Sequence, residues 1–172
     1  MDLMREAYHE ELASIGDALV DMANLVGSAM GRATGALLDA DLQVAESVIS
    51  AEEQVEGLQR DLENRAIAVL ARQQPVATDL RVVVSSVRMS ADLERCGVLA
   101  QHVATLVRRR FPGHAVPQDL RRTILEMGQL AQRASQPLGF CAAACSSASW
   151  HRRSCSWRSC SSASACACAA TA

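Results

Sequence analysis

The apolar positions of this chain recur in steps of three and four along three long segments. In the first, residues 4–39, Leu12, Ile15, Leu19, Met22, Val26, Ala29, Ala33 and Leu37 fall on one helical stripe. Residues 41–73 repeat the rhythm with Val44, Val48, Ala51, Val55, Leu58, Leu62 and Val69. Residues 78–110 carry Leu80, Val84, Val87, Ala91 and Val98, with Glu94 set into the same stripe. The Asp39-Ala40-Asp41 step supplies a turn and an N-cap; Pro75 closes the second segment, and Thr78 or Asp79 caps the third. Gly16, Gly27, Gly31 and Gly35 weaken the first helix by propensity, but small residues also let another helix approach closely. Phe111-Pro112-Gly113 breaks the pattern, and Pro117 opens a fourth helix that fades near Ala134. Long helices joined by turns of a few residues must fold back on one another. The expected fold is therefore all-α: an antiparallel three-helix bundle over residues 4–110, an incomplete fourth helix over 117–133, and an irregular tail over 134–172.

Glu94 is the first clue to chemistry. A carboxylate in a buried seam is destabilising by several kcal/mol unless a partner, a proton or a metal compensates it. A hairpin turning between Gln74 and Ala77 makes facing positions sum to about 150. That sets Glu56 level with Glu94, and Glu52 level with Val98. Glu52 and Glu56 are four apart and share a helix face. Carboxylates converging between bundle helices are the usual oxygen ligands of di-iron, manganese or magnesium sites. The E-x-x-H pair of oxygen-activating di-iron enzymes is missing: His102 lies two turns beyond Glu94, and His9 sits in the first turns of the chain. The plainer alternative keeps Glu52 and Glu56 as solvated flank residues and pairs Glu94 with Arg95, Arg65 or Arg60.

Composition narrows the field. The 172 residues suffice for one domain with a core, and the net charge of −2 gives no general pull toward nucleic acid or an anionic membrane. All 17 basic residues are Arg. Arg108 to Arg110 read as cations completing a helix C-terminus rather than as a nucleic-acid patch. The opening MDLMREAYHEEL is too acidic for a signal peptide, and no apolar run reaches membrane-spanning length, so a cytoplasmic location is expected. No nucleophile–base pair, glycine-rich phosphate loop or zinc motif appears, and the chain is not expected to be an enzyme. All 19 acidic residues lie at or before Glu126, whereas six of the seven cysteines lie between Cys141 and Cys168. Beyond Ala134 the sequence is low in complexity: Ser, Ala, Cys and Arg without hydrophobic period. Its CxxxC and CxC spacings with His151 form no recognised zinc motif. The tail reads instead as a shifted reading frame or another non-native end, or as disorder.

The YHEEL, ALLDADLQVAESVISAEEQVEGL and QQPVATDLRVVVSSVRMSADLERCGVLAQHVA segments resemble the PhoU family of phosphate-transport accessory proteins. The resemblance runs over about residues 4–133. It implies the first of two tandem three-helix bundles and the opening of the second, in a chain that is truncated or frame-shifted beyond it. It also implies a cytoplasmic negative regulator of phosphate uptake and of the phosphate-starvation response. Its implied partners are the phosphate-specific ABC transporter and a phosphate-sensing histidine kinase, and its implied assembly is a homodimer. The family carries acid-x-x-x-acid pairs on the second and third helices, which in some members bind iron or other metal clusters. Glu52 and Glu56 match the second-helix pair; Glu94 matches half of the third-helix pair, with Val98 where the family has an acid. The implied cofactor is a divalent metal, Mg or Mn, or iron. Asp79, Arg81, Asp92 and Arg95 match further family positions, with capping expected of Asp79 and ion pairing of the other three. The alternatives are a carboxylate-bundle metal-binding protein and an inactive truncated fragment.

Overall fold

The computed structural model describes residues 2–73 and 78–146. Four α-helices follow in order: α1 (Asp2–Asp39), α2 (Leu42–Gln73), α3 (Thr78–Arg110) and α4 (Arg121–Ser146), with a 3₁₀ turn at Gln118–Leu120 leading into α4. The three long segments of helical period are thus helices, and no strand occurs among the described residues. Helix α4 departs from expectation by continuing through residues 134–146. Aliphatic period ends there, but the Ala142 to Ala144 run keeps a high helix propensity that needs no packed face. The expected tail beyond Ser146 and the Gln74 to Ala77 turn lie outside the described residues. Among the described residues no helix is long and apolar enough to cross a membrane.

The α1–α2 connection is as short as a helical turn permits. Ala40 takes a left-handed φ of 54°, and the Asp41 N–H donates to the Ala36 carbonyl at 3.2 Å, closing α1 in a Schellman geometry. Asp41 then caps the next helix: its Oδ1 accepts from the Gln43 and Val44 amides at 2.9 and 3.1 Å. The N-cap read from the sequence is therefore Asp41, which ends one helix and begins another.

Helix α1 packs against α2, α3 and α4, and α2 packs against α3. One core cluster is built of large side chains, including Ile15, Leu19 and Met22 of α1, Leu62 of α2 and Leu93 of α3. The other is built mainly of small ones, including Ala29 and Ala33 of α1, Ala45 of α2, and Ala100 and Ala104 of α3. Helix α4 meets α1 along this small-residue part. A Cβ on Gly27 would strike the Ser135 hydroxyl, one on Gly31 would lie 3.1 Å from the Gln132 side chain, and one on Gly128 would run into Thr34. The close approach expected of the α1 glycines occurs at Gly27 and Gly31, whereas Gly35 faces open space. At the other end of the contact, the Arg121 guanidinium donates to the Leu38 carbonyl and pairs with Asp39 at 3.4 Å.

The buried face of α3 is rotated from the expected one. Val83, Ser86, Ser90, Leu93, Gly97, Ala100, Ala104 and Val107 are buried. Leu80, Val84 and Ala91 are exposed, while Val87, Glu94 and Val98 are only half-buried. This face mixes small residues with the branched Val83, Leu93 and Val107. A Cβ on Gly97 would stand 3.4 Å from Val55 Cγ1 of α2, in ordinary contact. The serines fit this seam because their hydroxyls donate within the helix, Ser86 to the Val82 carbonyl at 2.9 Å and Ser90 to the Val87 carbonyl at 2.8 Å. Glu94 lies at the edge of the seam, so the full burial penalty anticipated for it does not arise.

The Ala40 geometry yields a direct test. A left-handed conformation is unfavourable for an L-residue by roughly 1–2 kcal/mol, a strain that glycine escapes at some entropic loss in the unfolded chain. Ala40→Gly should therefore stabilise the protein by about 1 kcal/mol, measured as a higher midpoint of urea unfolding. An unchanged or lower midpoint would contradict the strained turn.

Candidate functional site: an acidic patch between the second and third helices

Val55 of α2 packs on Gly97 of α3. Glu52 and Glu56 flank Val55 on one side of this contact, and Glu94 lies one turn before Gly97 on the other. All three glutamates are half-buried. Burial, and then the charges of Glu56, Glu94 and Glu53, raise the pKa of Glu52 above the ordinary glutamate value. The charge of Glu94 on α3 thus reaches Glu52 on α2. Glu56 bears on Glu52 as well, ahead of Glu94. Glu56 turns to Arg60, one helical turn along, and Arg65 pairs with Asp61 at 3.7 Å. Neither of those arginines is the Glu94 partner that the sequence allowed.

The arrangement does not fit a bound metal ion. Glu56 already has a cationic partner, Val98 offers no donor, and among the described residues no three His, Cys, Asp or Glu side chains are placed to hold one. The patch is suited to holding a proton: a half-buried carboxyl among like charges binds one more readily than a free carboxyl does.

The remaining motif residues separate. Asp79, in the first turn of α3, approaches Tyr8 of α1. Burial, followed by the charge and hydrogen-bonding influence of Asp79, pushes the Tyr8 phenol up to about 12. The Tyr8 oxygen is nonetheless buried without a hydrogen bond of ordinary geometry. Beside it, Glu11 Oε1 meets the Arg72 guanidinium of α2 at 3.5 Å while its Oε2 is buried and unpaired. The four residues make a polar end to the bundle that side-chain periodicity could not reveal, because Tyr8 and Glu11 are far from Arg72 and Asp79 in sequence. Arg81, Asp92 and Arg95 are exposed, and among the described residues the ion pairs expected of them do not form. Asp92 and Arg95 act instead on Cys96, whose thiol pKa is raised by burial and by Asp92 and lowered by Arg95. That net rise keeps Cys96 a weakly nucleophilic thiol.

Residues 19–107 match the PhoU domain family. The chain is 49% identical over 128 residues to the phosphate-specific transport system accessory protein PhoU homolog 2 of Mycobacterium tuberculosis, covering 74% of this chain and 60% of the relative. It is 45% identical over 128 residues to PhoU homolog 1 of Mycobacterium leprae, covering 74% and 58%. With the PhoU homolog of Rhizobium meliloti it shares 33% over 125 residues, covering 73% and 52%. The chain thus spans about three-fifths of the length of the mycobacterial relatives. No solved structure matches it.

The raised Glu52 pKa has a definite sign. The proton on Glu52 favours the folded state; this contribution is complete below the unfolded carboxyl value and is lost as pH rises through the raised folded value. At neutral pH the native patch therefore carries repulsion that Glu52→Gln removes. The variant should be more stable at pH 7 by a few tenths of a kcal/mol, and the advantage should vanish on acidification. Parallel thermal melts from pH 7 to pH 4 measure it, and a variant less stable than the parent at pH 7 would refute the repulsion.

Proposed function

The chain belongs to the PhoU family, and from that premise we propose that it is a non-enzymatic, cytoplasmic regulator of phosphate homeostasis. In this reading it restrains phosphate uptake and the phosphate-starvation response by contact with the phosphate-specific ABC transporter and its sensor kinase. The observation that carries the reading is the high identity to the M. tuberculosis accessory protein, sustained over most of this chain. The transporter and kinase contacts are part of the proposal, since the chain spans only part of its relatives.

The architecture proposed with this function is an antiparallel three-helix bundle of α1–α3, corresponding to one family repeat, with α4 opening the next. Cross-helix contacts support it. Arg72 near the end of α2 reaches Glu11 near the start of α1, while Arg32 in the later part of α1 meets Ser47 near the start of α2 at 3.5 Å. Val55, in the first half of α2, meets Gly97, in the second half of α3, as an antiparallel pair would. Residues beyond the family match, from about 134, are taken to lie outside the repeat pattern.

The patch as it stands does not fit a metal ion, but like charges crowd Glu52, and one more acid would change that. A fourth carboxylate at the family position would supply the donor that Val98 withholds. Val98→Asp should bind Mn²⁺ at least tenfold more tightly than the parent, a difference of about 1.4 kcal/mol, as read by calorimetric titration. Equal heats for the two proteins would remove the patch from the functional account.

The regulatory reading is tested in a bacterial strain lacking its own family member and carrying a phosphate-starvation reporter. Expression of this chain should lower reporter output in phosphate-rich medium, and the sensor kinase should co-purify with it. Full reporter output despite accumulation of folded protein would overturn the proposal.

A further inference from the structure

Helix α3 repeats a basic residue at every seventh position: Arg81, Arg88, Arg95, His102 and Arg109. All five are exposed, on the side turned away from the buried line of Val83, Ser90, Gly97 and Ala104. The same side exposes apolar residues between them: Val84 at 39%, Leu99 at 51% and Leu106 at 49%, together with Ala91. Asp92 is the one exposed acid of α3 among the described residues. The pairing of the arginines sets this helix apart. All three arginines of α2, Arg60, Arg65 and Arg72, have carboxylate partners. Among the described residues none of the α3 arginines has one.

The spacing bears on what would meet this row. Seven residues advance a helix by about 10.5 Å. They also stop about 20° short of two full turns, so on a straight helix the row winds by about 80° between Arg81 and Arg109. A second helix that supercoils with α3 follows such a row, because seven residues is the repeat of a left-handed helix pair. A flat anionic membrane would meet only part of it, and a nucleic-acid backbone has no use for Val84, Leu99 and Leu106. We infer that this face of α3 docks an acidic amphipathic helix of a partner protein. That helix carries a carboxylate at every seventh position for the arginines, and an aliphatic side chain beside each for the exposed apolar residues. A guanidinium takes a carboxylate in a two-pronged geometry. Exposed pairs contribute little each, so the charges set register and choice of partner while the apolar residues supply contact. The inference rests on α3 alone and stands apart from the phosphate-regulatory reading.

Fluorescence anisotropy of the full chain in reducing buffer tests it, with a labelled four-heptad peptide carrying Glu and Leu at the facing positions. The parent should bind this peptide at low salt with a dissociation constant on the order of 10 μM, and more weakly as salt rises. Arg88→Glu/Arg95→Glu should weaken binding at least tenfold and should bind the same peptide with Lys in place of Glu, an exchange that only direct pairing produces. Arg88→Gln/Arg95→Gln adds no like charge beside Asp92 and Glu94, and so keeps the test if the reversed variant does not fold. It should weaken binding of the Glu peptide at least threefold with helix content unchanged. Arg133→Glu, at an exposed position on α4, should bind like the parent. A parent that binds no peptide at a tenfold higher concentration would overturn the inference. So would a Gln variant that binds like the parent, or an Arg133→Glu chain that loses binding equally. Binding of phosphatidylglycerol vesicles or a DNA duplex through Arg88 and Arg95, with no binding of the peptide, would assign the face to another occupant and overturn it too.

Discussion

The structure depends on one helix being packed from three sides. Helix α1 touches α2, α3 and α4, and a helix so surrounded has little perimeter left for charge. From Met22 to Gly31 it carries no ionisable residue. Its exposed line is kept by Asp17, Asp21, Asn24, Ser28 and Arg32. Bulky residues could not fill all three contacts at once, since helices approaching within 8–10 Å need small residues where backbones come nearest. α1 divides the task along its length: Ile15, Leu19 and Met22 fill the wider end, and Ala29 and Ala33 permit the narrower one. Gly27 and Gly31 then lie against Ser135 and Gln132 of α4. A larger side chain at any of these positions would push α4 outward and loosen the Arg121 tie to the end of α1.

That constraint explains what was legible in the sequence. Period and punctuation are local properties, so the three long helices and the Asp41 cap could be read from them directly. The α1 stripe was also legible, because there the buried side is large over much of its length. The α3 face was not. Choosing the branched residues Val84, Val87 and Val98 over Ser86, Ser90 and Gly97 assumes that volume marks burial, and on α3 it does not, because small residues share the buried face with Val83, Leu93 and Val107. A serine whose hydroxyl bonds its own helix needs no external partner, and it can occupy a core that a valine would overfill. The α4 glycine contact was hidden for a related reason: Gly128 reads as a weak point in a helix until the partner at Thr34 is known.

Of the acidic site, position was legible and pairing was not. The hairpin fixes the height of each glutamate along α2 and α3 to within a turn, which brought Glu52, Glu56 and Glu94 together. Which carboxylate faces which depends on rotation about each helix axis and on the local cations. Arg60, one turn from Glu56, pairs with that carboxylate, whose charge still bears on Glu52. Rotation of the α3 core to Leu93 and Gly97 leaves Glu94 at the margin, where its charge bears on Glu52. Tyr8 and Asp79 show the same limit from the other direction. Their proximity joins the beginnings of two helices separated by a whole third helix, and no spacing rule within one segment contains it.

The patch therefore changes meaning with its context. Four carboxylates around one helix crossing would repel one another more strongly than three, and a divalent ion would relieve that repulsion. With Val98 in place of a fourth acid, Glu52 still feels the charges of Glu56 and Glu94, and it can relieve that repulsion by holding a proton. Protonation of Glu52 therefore alters the charge that this face of α2 and α3 presents.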